Sequence, residues 1–244
     1  MVNEIQSQRL YNFKLKAISE ETYEELLWTM VEETLVCSAH DIDHVRRVYK
    51  LALKIAANYD AVDYEVLIPA TLLHDLGRRV EDQDPTGKTD HAMVGSAMAH
   101  DILERMGIEP EIVSKIQAAI ETHRFRSDRV PGSLEAAILF DADKLDAIGA
   151  VGIARSYMLA GQEGSKLYRE VDLEAYGPDN LTDNGRIMRL EAHAPNIEYL
   201  LKLKHIPDRL MTEAAKKIAV ERAAVMKAFF YALDHEMGMI GDND

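Results

Sequence analysis

Apolar residues recur along this chain at three- and four-residue intervals, and no stretch alternates apolar and polar positions with the β-branched enrichment of a strand. The pattern predicts an all-α fold. Ser19 reads as the N-cap of a helix over 20–35, with glutamates crowding its first turn. The next helix spans 42–59. Asp63 caps one that runs to 76 and stops at Gly77, with Pro69 inside it favouring a kink or a later start. Asp90 opens a helix that Gly107 closes, and Pro110 begins another that runs to 122. Ser133 caps a segment to about 160 that is apolar on almost every side, which suggests a central buried helix. From 161 to 185 Gly, Asp, Asn and Pro accumulate, predicting a long surface loop able to close over a site. Two helical regions follow, 186–204 (broken near Pro195) and 208–237, with Pro207 between them.

No repeat or compositional break divides the chain, so 1–244 reads as a single helical domain with a core over about 38–160 and C-terminal helices over 186–238. With 47% apolar residues in 244, a sizeable core is available. No run of about 18 apolar residues predicts a membrane span, and the polar segment 1–10 does not resemble a secretory signal. Cys37 is the sole cysteine, which excludes an intrachain disulfide and fits a reducing, cytoplasmic setting. The net charge of −14 opposes binding to long nucleic acid. A small anionic ligand is still compatible, because basic residues gather locally at Arg78 and Arg79 and again at Arg124, Arg126 and Arg129.

Three features carry chemistry. The adjacent pair His74-Asp75 ends an apolar helix, where an ionised carboxylate is costly unless a cation compensates it. Imidazole with carboxylate is a common donor set for Zn, Mn or Fe; a polar helix C-terminus is the plainer alternative. The string Asp141-Ala142-Asp143-Lys144-Leu145-Asp146 sets three acids inside the most apolar helix. Asp141 and Asp143 point to opposite sides, so one metal would meet one of them and not both, and periodicity does not choose between them. A salt-bridge network around Lys144 is the alternative there. His44 falls in the first turn of the helix that Asp41 or Asp43 can cap, and by itself would pass for a surface residue.

The ordered set His44, His74-Asp75 and Asp143 resembles the HD-domain superfamily of metal-dependent phosphohydrolases. The string Asp141 to Ala150, continuing Val151-Gly152-Ile153-Ala154-Arg155, together with 40–48 and 200–237, is similar to a bacterial subgroup of nucleotide pyrophosphohydrolases. The resemblance covers about 38–237. It implies a helical bundle in which His44, His74, Asp75 and Asp143 ligate one metal, and it selects Asp143 over Asp141. His91 and His123 become candidates for a second metal or for substrate contact; His91 and His100 lie on opposite sides of their helix, so at most one faces the site, and His91 is expected there because it lies in the first turn near the loop after His74-Asp75, with His100 a surface or packing residue. Relatives with a lysine after the His-Asp-x-Gly turn differ from this chain, which has Arg78 there; arginine binds phosphate in a fork but does not donate a proton readily.

The chemistry so implied uses a divalent ion (Mn, Mg, Co, Ni, Zn or Fe, with Mn favoured) whose open positions take water and substrate. Asp75 or Asp143 would orient the water or take its proton. Lys144 would stabilise developing negative charge, its alternative role being a partner for Asp141. Arg78, Arg79, Arg124 and Arg126 are substrate-binding candidates. The expected reaction is hydrolysis of a (deoxy)nucleoside triphosphate to monophosphate and pyrophosphate. A 5′-nucleotidase is the runner-up, and a diiron oxygenase or a non-catalytic sensor is a more distant reading. A homodimer is compatible with the resemblance.

Overall fold

The computed structural model describes residues 20–34, 42–124, 129–180 and 187–239, and every regular element among them is helical. Ser19, Cys37, His40, Asp41 and Arg126 lie outside the described residues. The helices are α1 (Glu20–Thr34), α2 (Ile42–Ala56), α3 (Tyr64–Leu73), α4 (Arg78–Asp82), α5 (His91–Arg105), α6 (Pro110–Thr122), α7 (Leu134–Asp146), α8 (Gly149–Gln162), α9 (Leu173–Asn180), α10 (Pro195–Leu201), α11 (Ile206–Arg209) and α12 (Glu213–Glu236), with 3-10 turns at Leu190–Ala192 and Leu203–His205.

Capping chemistry sets the starts. Asp63, Asp90 and Ser133 sit in extended backbone and accept from Glu65 N–H, Ala92 N–H and Ala136 N–H, relieving donors that the first helical turn leaves unsatisfied. Pro110 takes the first position of α6, and Gly107, at φ +74°, follows the end of α5. The main apolar core is built from α1, α2, α3, α5, α6, α7 and α12 and includes Leu27, Val48, Ile55, Leu67, Leu72, Ile116, Leu139 and Phe230. A satellite cluster of Tyr176, Ala194 and Ile197 joins α9 to α10.

The boundaries differ from the sequence reading in four places. The segment over 133–160 is two helices, because Gly149 adopts φ +81° and the chain turns between α7 and α8. The stretch from 161 is not all loop: α8 continues to Gln162 and α9 occupies Leu173–Asn180. The expected break does fall at Pro195, the first position of α10, with 3-10 turns at Leu190–Ala192 and Leu203–His205 on either side, but the last long helix begins at Glu213, capped by Thr212, and not at 208. Finally, α3 passes through Pro69 and ends at Leu73, with His74 as its C-cap. Gly77 does not terminate it by a left-handed turn, since its φ is −77°.

Gly77 has a different purpose. A Cβ there would lie 2.6 Å from Gly95 N and closer still to the His91 carbonyl oxygen, both backbone atoms that cannot yield. The bare backbone lets the turn after α3 press against the start of α5. Gly77→Ala is therefore expected to destabilise the protein by ~2–3 kcal/mol or more, as overpacking against backbone does. Gly161→Ala, in α8 with nothing within 4 Å of the added Cβ, is expected to be neutral or to stabilise by up to ~1 kcal/mol. Urea unfolding of both variants checks the contrast; equal effects would contradict it.

Candidate metal centre

Helix ends deliver the polar residues to the middle of the core. His44 comes from the first turn of α2, His74 is the C-cap of α3 and Asp75 follows it. His91 begins α5, His123 is the C-cap of α6, and Asp143 and Lys144 come from the last turn of α7. All four histidines and Asp75 are buried. His44 Nε2 lies 3.4 Å from Asp143 Oδ1, 3.5 Å from Asp75 Oδ2 and 3.4 Å from His74 Nε2. On the other oxygen of Asp75, Oδ1 is 3.7 Å from His91 Nε2 and 3.8 Å from His123 Nε2, and those two nitrogens are 3.2 Å apart. Asp75 thus stands between two pairs of imidazoles, and two groups have metal-ligand spacing: His44, His74 and Asp143, and His74, Asp75 and His123.

The outer nitrogens explain the orientation of the rings. His44 Nδ1 is 2.8 Å from Asp146 Oδ2, His74 Nδ1 is 2.7 Å from Thr71 O, His91 Nδ1 is 2.9 Å from Glu81 Oε2, and His123 Nδ1 is 2.5 Å from Ile120 O. Each partner is a carbonyl or an ionised carboxylate, so each Nδ1–H must donate. In the neutral rings all four Nε2 lone pairs then converge on the same space. Lone pairs facing one another at 3.2–3.4 Å are repulsive, and a divalent cation is the species that such a donor set fits. Burial, ahead of neighbouring charges, drops His74 to about 4 and His91 to about 4, which keeps those rings neutral as ligands need. His44 goes the other way: burial opposes its charge, but hydrogen bonds to Asp143 and Asp146 outweigh it and push the pKa up.

A ring of ions supports the centre. Asp146 also accepts from Arg47 Nε at 2.7 Å and from Arg155 Nη1 at 2.8 Å. Glu81 accepts from Arg78 at 2.9 Å and pairs with Arg124 at 3.1 Å, while Arg78 reaches Asp75 Oδ1 at 3.2 Å. Arg124 and Arg129 both engage Asp90, the cap of α5. Lys144 Nζ lies 2.5 Å from Asp143 Oδ2 and 5.4 Å from the centre of the Phe140 ring. Lys144 is therefore the partner of Asp143 and not of Asp141, correcting the alternative that the sequence left open. Asp141 instead accepts from Met211 N–H, Thr212 N–H and the Thr212 hydroxyl at 2.6–2.9 Å, clamping the start of α12.

The structure brings together His44, His74, Asp75, His91, His123, Asp143 and Lys144, with Arg78 and Arg124 at the edge. It shows Arg79 half-buried with no ion pair to a described residue. His100 points away from the cluster toward Gln117 and Glu104. Sequence reasoning missed Glu81, Asp146, Arg47 and Arg155. Asp146 had a usable signal, since it falls three residues after Asp143 on the same side of α7. The others are brought in by tertiary packing.

A helical protein with buried His and Asp side chains gathered at helix ends has the makings of a metal site. Comparison makes this specific. The HD domain family model matches residues 41–148. The Bacillus subtilis protein YpgQ is 31% identical over 219 residues, covering 87% of this chain and 93% of YpgQ. The crystal structure of YpgQ in complex with ADP superimposes with a TM-score of 0.65 at 27% identity, covering 87% of this chain and 97% of that one. An HD-superfamily hydrolase from Bacillus thuringiensis gives a TM-score of 0.64 at 25% identity, over 90% of this chain and 99% of that one. The chain belongs to the HD-domain superfamily and is a metal-dependent phosphohydrolase. HD-domain proteins bind divalent metals, and the clusters described above are able to hold one. Among the described residues no helix is long and apolar enough to cross a membrane.

Two expectations follow. Asp143→Asn should lower metal content and activity while leaving the fold, whereas Asp141→Asn should cost ~1–3 kcal/mol of stability through its two backbone donors and leave metal content largely intact. Metal analysis beside urea unfolding separates them, and equal metal loss would refute the assignment. The second concerns pH. Burial would raise the carboxyls of Glu81 and Asp146, but the hydrogen bond from His91 with Arg78 and Arg124, and those from His44 and Arg47 with Arg155, hold each at about 2. An unfolded carboxyl titrates near ~4, so this stabilisation is present above about pH 4 and is lost as pH falls through 2. Metal-free protein should lose stability across that window by on the order of 2 kcal/mol per group, and Asp146→Asn should flatten the slope measured by unfolding at successive pH values.

Proposed function

We propose that the protein hydrolyses a nucleoside triphosphate at the α-phosphorus, releasing monophosphate and pyrophosphate. The observation that carries this reading is the distribution of cations on both sides of the histidine–aspartate cluster. Lys144 lies beside Asp143 at one end, and Arg78 with Arg124 flanks Asp75, His91 and His123 at the other. Charge spread along a line suits a polyphosphate, and guanidinium forks match its terminal oxygens. A monoester offers one dianionic group and makes less use of both ends. The ADP held by YpgQ adds support for a nucleotide ligand.

On this reading His44, His74, Asp75 and Asp143 hold one metal ion, and His91 and His123 with the second oxygen of Asp75 hold another or contact the substrate. Mixed imidazole and carboxylate donors accept Mn, Mg, Co, Ni, Zn or Fe, and manganese is the ion proposed here. When bound, the metal lowers the pKa of water and neutralises phosphoryl oxygens. The chain's own residues do the rest. Asp75 or Asp143 accepts the proton of the attacking water, Lys144 faces the charge that develops on the phosphoryl oxygens, and Arg78 and Arg124 steady the leaving pyrophosphate.

The test is a panel of ribo- and deoxyribonucleoside mono-, di- and triphosphates with Mn, Mg, Co, Ni and Zn, scoring phosphate and pyrophosphate separately. Pyrophosphate from triphosphates is expected. Phosphate from monophosphates alone would overturn the proposal in favour of a 5′-nucleotidase. His74→Ala should lose bound metal, and its activity should fall by at least ~100-fold.

A further inference from the structure

A cavity of about 290 Å³ opens between α8, α10 and the segment 187–193, next to the metal cluster but built from none of its ligands. Its walls are of two kinds. Leu159, Ile187 and Leu203 give apolar surface, while Ser156, Glu198 and Lys202 supply hydroxyl, carboxylate and ammonium groups. The polar edge is held in place. Glu198 accepts from Lys202 at 2.9 Å and lies 3.4 Å from His193 Nε2, and His193 Nδ1 is 2.7 Å from the Tyr176 hydroxyl. Two buried asparagines fasten the covering chain. Asn196 bonds both N–H and C=O of Arg169, and Asn180 does the same for Arg189, each at 2.7–3.2 Å.

The cavity is joined to the metal centre by short links. Arg155, on its wall, donates to Asp146, whose same oxygen anchors His44. Lys202, also on its wall, presents an ammonium held by Glu198, and Ala147, on the same wall, directly follows Asp146 at the end of α7. The cavity thus adjoins the His44 side of the cluster, while Arg78 and Arg124 stand on the side of Asp75 that faces His91 and His123.

We propose that this cavity is the nucleoside site of the enzyme: it receives the base and sugar of a nucleotide whose phosphates extend past Lys202 and Lys144 onto the metal centre. The inference rests on the nucleotide reading above and deepens it. A pocket that is mostly apolar with a few fixed polar groups is what a planar base and a hydroxylated sugar require, and a volume near the lower end for small-molecule sites suits a nucleoside better than a whole triphosphate. The apolar walls cover the base faces, and the Glu198 carboxylate accepts from sugar hydroxyls or from an exocyclic amine. A nucleoside seated beside His44 presents its α-phosphate to the cluster first, with the β- and γ-phosphates following toward Arg78 and Arg124.

The probe is ADP against inorganic pyrophosphate, titrated by calorimetry into the manganese-loaded protein. The cavity predicts ADP binding at least ~10-fold tighter than pyrophosphate, because only ADP carries a nucleoside. Ser156→Phe, which drives a ring into the cavity, should collapse the ADP-to-pyrophosphate affinity ratio toward one; Leu159→Trp serves the same purpose should the first variant not fold. Equal affinities in the unmodified protein, or an unchanged ratio in a folded cavity-filled variant, would overturn the proposal. Its failure is distinct from that of the reaction. An ADP preference erased by these variants, with no pyrophosphate released from any triphosphate, leaves the site standing and the reaction wrong. Pyrophosphate release with a ratio indifferent to the cavity does the opposite.

Discussion

The constraint on which the rest depends is electrostatic: four imidazoles and two carboxylates share one buried space with their donor atoms turned inward. Burying such groups in an apolar helical core is unfavourable unless each proton and lone pair finds a partner. The Nδ1 protons find theirs in Asp146, Glu81 and the carbonyls of Thr71 and Ile120. The Nε2 lone pairs require a cation. The geometry of the candidate ligands is thus prepared by hydrogen bonds that do not themselves involve an ion.

Helix termini are the means of preparation. A carbonyl in the last turn of a helix has no partner within the helix, and at the ends of α3 and α6 that carbonyl belongs to Thr71 or Ile120 and orients the histidine three residues later. The same economy appears at Gly77, where a missing side chain lets the turn carrying His74 and Asp75 lie against the start of α5 and bring His91 within reach. The two aspartates of α7 divide the labour by helical phase. Asp143 faces the cluster and Asp141 faces the start of α12, where it satisfies two backbone donors and a hydroxyl. One segment thus serves the site and the packing of the C-terminal helix together.

The acidic net charge is reconciled with an anionic substrate by local geometry. Positive side chains are concentrated around the centre, and several are already committed to carboxylates: Arg78 to Asp75 and Glu81, Arg124 to Glu81 and Asp90, Arg155 to Asp146. Such pairs hold the guanidinium groups in fixed directions. Preorganised cations of this kind stabilise negative charge without the reorganisation that free side chains require.

The sequence by itself determined the helical class and most helix starts, and it singled out His74-Asp75 and the acidic string of α7 as candidate chemistry. Caps such as Asp63, Asp90 and Ser133 act on donors two or three residues away, so local chemistry suffices to place them. The opposite directions of Asp141 and Asp143 likewise follow from 100° per residue. Periodicity could not say which aspartate faced the metal, and there the family resemblance was needed. The break at Gly149, the helix at Leu173–Asn180 and the late start of α12 were not legible, because each is set by what the segment packs against rather than by its own pattern. Arg47 escaped for the same reason, its partner Asp146 lying 99 residues away, and Glu81 and Arg155 escaped because they meet His91 and Asp146 across the turns between separate helices. Only the tertiary structure decided that His91 and His123 meet each other and one oxygen of Asp75, since a histidine becomes a candidate ligand through the direction in which the packed helices aim its Nε2, and sequence distance carries no record of that direction.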